Sequence, residues 1–195
     1  RQMVIYLLSG GGLIVMLLSV FLYNRFRITR NQSNVIKQQK QELDFMNEKL
    51  HQDISYAERI QNAVLPDKEQ IKRLLPNSFV YFKPKDMVSG DFYWLAEKDG
   101  RVLFAACDCT GHGVPGAFMS MIGTFSLEEM VHEKHLTQPH EIFAEVRKSF
   151  IKELNQTANS GTHKDGMDAI LCSWDKKNSL QFAAANNPVI LIRNG

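Results

Sequence analysis

An excess of one charge sign is missing from this chain: 23 Lys and Arg stand against 21 Asp and Glu, for a net charge of +2 over 195 residues. That balance argues against a nucleic-acid partner, because a broad basic face neutralising many phosphates needs a surplus of Lys and Arg. Cysteine is scarce. Cys107, Cys109 and Cys172 are too few and too unevenly placed for a disulfide framework, and they point to a reducing compartment. Proline and glycine are absent from Asn31 to Leu65, so nothing breaks a helix there until Pro66. No internal repeat, Ser-His-Asp arrangement or P-loop sequence is legible. The first residue is Arg rather than Met, and the last two follow an apolar run. We expect a piece of a longer protein at both ends, large enough for one domain with appendages.

Charged side chains are also absent from Met3 to Tyr23, a run of 21 residues. About 20 apolar residues cross a bilayer core as helix, and Tyr6 and Tyr23 sit near the ends, where amphipathic rings favour the interface. A signal peptide would need a small-residue cleavage site, yet Asn24-Arg25-Phe26-Arg27 follows. Residues 3–23 therefore read as a transmembrane helix. Arg25, Arg27 and Arg30 follow the span against Arg1 before it. The positive-inside rule then places the downstream chain in the cytoplasm, on the inner (cytoplasmic) membrane.

Residues 31–65 read as a helical linker. Ile36, Leu43, Leu50, Ala57 and Val64 recur at heptad spacing, while the partner seam of Gln39, Met46, Asp53 and Ile60 is only half apolar. One clean and one mixed seam suggest a short, marginal parallel coiled coil and a homodimer. A single amphipathic helix packed on its own domain would give the same pattern.

Residues 67–195 change to a mixed pattern. Phe79–Phe82, Asp91–Glu97, Arg101–Asp108, Met167–Trp174, Leu180–Ala185 and Val189–Arg193 read as strands. Pro115–Glu133 and Pro139–Leu154 read as helices, and Gln156–Asp165 as a polar loop. Segregated strand and helix runs favour an α+β fold with an antiparallel sheet. Asp99-Gly100 is a hairpin signal. If those two residues form the turn, Lys98 pairs with Arg101, and the register places Asp91 opposite Asp108. Opposed residues share a face with β-carbons about 4.5–5.5 Å apart, so two such carboxylates need a cation or a shared proton. Oxygen donors without a His/Cys cage favour Mg²⁺ or Mn²⁺. The turn after Asp108, Cys109-Thr110-Gly111-His112-Gly113-Val114-Pro115-Gly116, lets backbone approach an ion or phosphate closely. An ordinary strand-to-helix turn with capping aspartates is the plain alternative.

Cys107-x-Cys109-x-x-His112 imitates part of a zinc site, but the chain turns at Cys109 and the two thiols are not expected to share a metal. His132, His135 and His140 read as solvated surface, and Met119, Met121 and Met130 as helix core.

Ser89–Trp94 (SGDFYW) followed by Asp108–Met121 (DCTGHGVPGAFMSM) closely resembles the SpoIIE-like bacterial branch of the metal-dependent protein phosphatases (PPM). Ile54–Pro66 is similar to the linker helix that enters that domain, and Ala185–Gly195 to the strand pair after its second helix. The resemblance implies an α/β/β/α sandwich, present here in part, and hydrolysis of protein phosphoserine or phosphothreonine by metal-activated water. It implies that Asp108 bridges two Mn²⁺ or Mg²⁺ ions, that the Cys109 carbonyl binds one, and that Asp91 holds the other. The substrate would be a phosphoprotein such as an anti-sigma-factor antagonist. The family's two further aspartates have no match, since Asp165, Asp168 and Asp175 fall too early, and Asp168 reads as a structural strand residue. Asn186 stands where many relatives carry His. The phosphate-binding arginine of eukaryotic relatives has no clear match, and Lys83 and Lys85 are named as candidates for the substrate in its place. The expected activity belongs to a longer parent, and residues 1–195 alone are expected to be inactive. A non-catalytic signalling module is the competing class.

Overall fold

The structure, a computed structural model, describes residues 1–156 and 165–192, without the side chains of residues 4–9. Helix α1 (Gln2–Val64) opens the chain, and the chain divides into two compact units, Arg1–Gln52 and Asp53–Gly195. In the first unit, from Gly10 on, α1 is long and apolar enough to cross a membrane, with a window of mean hydropathy 1.4 and no burial. Farther along, Ile36, Leu43 and Leu50 all lie exposed on one heptad stripe.

The second unit begins within the end of α1 and continues through a short helix, α2 (Lys68–Leu74). The sequence reading missed α2, although Asp67 caps it by accepting from the Gln70 N–H at 2.7 Å. Four antiparallel strands follow in the order β1 (Phe92–Lys98), β2 (Arg101–Cys109), β3 (Met167–Trp174) and β4 (Leu180–Ala185). Asp99 and Gly100, with φ of 49° and 74°, form the β1–β2 turn. Both signs match the type I′ turn that Asp-Gly favours. Between β2 and β3 come α3 (Gly113–Glu128), a π-helical turn (Glu129–Glu133) and α4 (Pro139–Glu153).

Alternation along the strands separates the two faces of the sheet. Phe92, Trp94, Leu103, Ala105, Cys107 and Leu171 point to one face and pack against Leu127, Met130, Ile142, Val146 and Phe150 of the helices. Gly123 of α3 lies so close to the sheet that a β-carbon there would stand 2.9 Å from the Phe92 ring. The opposite face is covered at one end by α2, where Leu74 meets Leu95 and Val102. The rest of that face is open, with Ala106 and Phe182 exposed. The described residues thus form one sheet and one helical layer of an α+β domain.

Two expected strands are not formed. Phe79–Phe82 finds no ladder partner among the described residues: Phe79 and Tyr81 are 90% and 82% exposed, and Phe82 stacks edge-on against Tyr93 at 5.5 Å. Hydrophobicity suggested a strand there, but a strand needs a neighbour for its backbone groups. Val189–Ile192 is likewise irregular, following Pro188, which has no N–H to donate to a ladder. Arg193, and residues 157–164 of the expected polar loop, lie outside the described residues.

Candidate active site

The β1–β2 register runs from Lys98 opposite Arg101 to Phe92 opposite Cys107, so the next step places Asp91 across from Asp108. The two carboxyl groups are close enough to share a hydrogen bond. Asp91 is held above the ordinary carboxylate range, first by partial burial, then by that bond and by repulsion from Asp108. Two carboxylates that raise one another in this way form a ready position for a cation or a shared proton.

The β2–β3 register adds a residue that sequence reasoning set aside. Asp168 lies directly opposite Asp108 on the other side of β2, so three aspartates run across one face of the sheet. Asn186, in a left-handed conformation after β4, donates its side-chain amide to Asp168 Oδ2 at 2.7 Å. The signal was available in sequence: once Met167–Trp174 is a strand beside β2, its first residues must face the last ones of β2. Which strand would neighbour β2 was the missing information.

Glycine sets the backbone around this row. A β-carbon on Gly90 would lie 2.6 Å from the Gly111 carbonyl oxygen and 3.0 Å from that of Cys109, and one on Gly116 would lie 2.6 Å from Gly111 O. The approach to Asp91, the turn after Asp108 and the first turn of α3 therefore close on one another with no room for side chains. Gly111 and Gly113, with φ of 93° and 63°, shape that turn. Its flanks are tied down. On one side Gly166 N–H donates to Thr110 Oγ1 at 3.0 Å, and on the other His112 Nδ1 meets Asp86 Oδ2 at 2.9 Å.

A further clamp comes from α1. Gln61, buried, donates Nε2 to Ser89 O at 2.6 Å and to Ser120 Oγ at 2.7 Å, and its Oε1 accepts from Ser89 N–H at 2.9 Å. Ser89 Oγ in turn accepts from the Asp91 N–H at 3.0 Å. The end of α1 thus reaches the backbone that carries Asp91. The resemblance of Ile54–Pro66 to a linker helix covered Gln61 without marking its role, because its partners, Ser89 and Ser120, lie 28 and 59 positions away.

The remaining candidates separate. Lys83 lines the open groove of about 700 Å³ on the uncovered sheet face, together with Asp91, Asp108 and Tyr93. Lys85 is exposed and does not line it. The Cys109 side chain is buried on the helix-facing side, and its thiol is pushed up to about 12, by burial first and then by Asp108 and Asp91. Only its carbonyl oxygen faces the cradle. Cys107 is buried beside it, and burial holds its thiol well above the usual range. His112 is exposed on Asp86 instead, so the zinc-like spacing assembles nothing. His132 pairs with Glu128 at 3.3 Å on the surface. Met119 and Met130 are core residues, as expected.

Among the described residues no three His, Cys, Asp or Glu side chains converge on a metal-sized point. The donors present are two facing carboxylates and backbone carbonyls in a cradle that a single β-carbon would fill. That all-oxygen set fits a hard divalent cation, with water completing its shell.

Comparison with known proteins agrees with this geometry. The family model for stage II sporulation protein E (SpoIIE) matches residues 98–195. Among solved structures, the chain is similar to the SiaA-PP2C domain of Pseudomonas aeruginosa, with 32% sequence identity and a TM-score of 0.61. That match covers 71% of this chain and 54% of the other, so the chain spans about half the length of this structural relative. No curated protein matches. With the SpoIIE model covering half of the chain, and a PP2C domain as structural counterpart, the chain belongs to the SpoIIE family of PPM-type phosphatases.

Proposed function

We propose that this protein is a membrane-tethered bacterial signalling phosphatase that hydrolyses phosphoserine or phosphothreonine on a regulatory protein, such as an anti-sigma-factor antagonist. The observation that carries this is the Asp91–Asp108 pair, two carboxyl groups in contact at the mouth of an open groove. Asp91, Asp108 and the Cys109 carbonyl would hold Mn²⁺ or Mg²⁺. Bound there, the metal supplies an activated water and neutralises phosphoryl charge. The chain's own contribution is positional. The glycine cradle fixes the two carboxylates, Gln61 and Ser89 fix the backbone of Asp91, and Lys83 offers a cation in the groove for the phosphorylated segment. Lys85, exposed nearby, is the weaker candidate for the same role.

The apolar start of α1 would anchor the protein in the cytoplasmic membrane with the phosphatase domain on the cytoplasmic side. The exposed stripe of Ile36, Leu43 and Leu50 supports a homodimer through the linker helix. Residues 1–195 on their own would lack turnover, because two carboxylates and a carbonyl hold a six-coordinate cation weakly.

A non-catalytic module is the second reading, favoured by the absence of a third converging carboxylate among the described residues. A Mn²⁺-dependent assay of the intact protein on a phosphoserine peptide separates them. Metal-dependent release of phosphate that disappears in Asp108→Ala supports the enzyme. Metal binding without turnover supports the module.

A further inference from the structure

We propose that Arg25, Arg27 and Arg30 of α1 form a binding surface for the headgroups of anionic phospholipids in the cytoplasmic leaflet. This rests on the reading of residues 3–23 as a membrane span and goes beyond it, because a span fixes where the arginines lie but not which lipid surrounds them. Helix α1 continues without a break past Tyr23, so each further residue rises about 1.5 Å along its axis. Arg25, Arg27 and Arg30 then stand about 3, 6 and 10 Å past the end of the uncharged run. All three are exposed. The headgroup layer is about 5–7 Å thick on each side of a bilayer core. Arg25 and Arg27 fall inside it, and the long side chain of Arg30 reaches back to it.

This charge has no counterpart on the helix. No Asp or Glu precedes Glu42, about three turns beyond Arg30, so the pairs at three or four residues that neutralise exposed helix charges cannot form. Anions must come from outside the chain, and at this depth the lipid phosphates are the anions at hand. The residue types separate along the helix as well. The three cations nearest the span are all Arg, whereas the next two, Lys37 and Lys40, are Lys. A planar guanidinium stays charged and offers paired N–H donors to phosphate oxygens, so it suits a headgroup layer better than an ammonium does. Phe26 and Ile28, exposed between the arginines, supply apolar surface of the kind that settles where headgroups meet acyl chains. Lys37 and Lys40 lie about 21 and 26 Å past Tyr23 along the axis. That is beyond the distance of about 8–10 Å over which salt leaves a surface charge unscreened, so they fall outside the reach of the lipid.

The test reconstitutes the intact protein into phosphatidylcholine vesicles carrying a trace of spin-labelled phosphatidylglycerol or spin-labelled phosphatidylcholine. Electron paramagnetic resonance then reads how much of each lipid is immobilised at the protein. Wild type should hold phosphatidylglycerol about fivefold more strongly, the gain expected for one arginine facing one anionic headgroup. Arg25→Gln, Arg27→Gln and Arg30→Gln together should remove the preference, and salt at about 1 M should remove most of it. Lys37→Gln with Lys40→Gln should leave it at the wild-type value. Arg25→Lys, Arg27→Lys and Arg30→Lys together keep the charge that holds the span in place, and should keep most of the preference. No preference in the wild type, an unchanged preference in the glutamine variant, or equal losses in the lysine and glutamine variants would each overturn the inference. Alkaline carbonate extraction of the same vesicles separates the two readings. Release of the wild-type protein would overturn the membrane span and the inference with it, whereas retention without lipid preference would overturn the lipid surface alone.

Discussion

The two units of this chain treat the same kinds of residue in opposite ways. In the first unit Leu43 and Leu50 are 57% and 58% exposed, whereas in the second Leu103, Leu127 and Leu171 are fully buried. Leucines of the second unit are fixed by sheet and helix within one chain. Those of the first are exposed among the described residues, so the helix carries an uncovered apolar stripe. Sequence periodicity marks apolar residues in both regions, yet it means something different in each. In one it specifies a core, and in the other an unfilled requirement for a neighbour.

Perturbations of four kinds, to function, core, cradle and pH, break or sharpen that contrast. The largest expected effect falls on function: Asp108→Ala should lower phosphatase turnover of the intact protein at least about a thousandfold, beyond the loss of a single electrostatic stabiliser. Next comes the core. Leu103→Ala should destabilise the second unit by about 2–5 kcal/mol in thermal or urea unfolding, while Leu43→Ala should leave that transition in place and weaken only self-association, read by analytical ultracentrifugation. Equal effects of the two substitutions on unfolding would erase the distinction between the units.

Smaller changes probe the cradle. Gly116→Ala forces a β-carbon against the Gly111 carbonyl at 2.6 Å and should cost about 1–3 kcal/mol of overpacking strain. Gln61→Ala should cost about as much, because the buried N–H and C=O of Ser89 would lose their partner. The smallest effect concerns pH. The Cys109 thiol has its pKa raised to about 12 in the fold, so the neutral thiol is favoured by folding. Its contribution is fully present below about pH 9 and is lost as pH rises toward 12, by at most about 1.4 kcal/mol per unit. The stability difference between wild type and Cys109→Ala should therefore stay constant up to about pH 9 and change only above it.

Much of this site was legible from the β1–β2 hairpin alone. Asp99-Gly100 determined the turn, the turn determined the register, and the register brought Asp91 to Asp108. Local chemistry of that kind survives folding unchanged. What stayed hidden depended on which distant segments became neighbours. Asp168 joined the row because β3 took the place beside β2, and Gln61 reached Ser89 from 28 positions away. Phe79–Phe82 and Val189–Ile192 went astray for the converse reason: their side chains favour a strand, but no partner strand lies beside them among the described residues. The turn glycines were read correctly as allowing close approach, although only the fold shows that Gly90, Gly111 and Gly116 approach one another.

The central claim is that Asp91 and Asp108 together hold a divalent cation, and calorimetric titration with Mn²⁺ tests it most directly. The intact protein should bind Mn²⁺ saturably with proton release that grows as the pH is lowered, because the metal competes with the proton for the Asp91 carboxyl, whose affinity for it burial and Asp108 raise. Asp91→Asn and Asp108→Asn should each abolish both the binding and the proton release. Saturable Mn²⁺ binding of wild-type strength in the double variant would contradict the account.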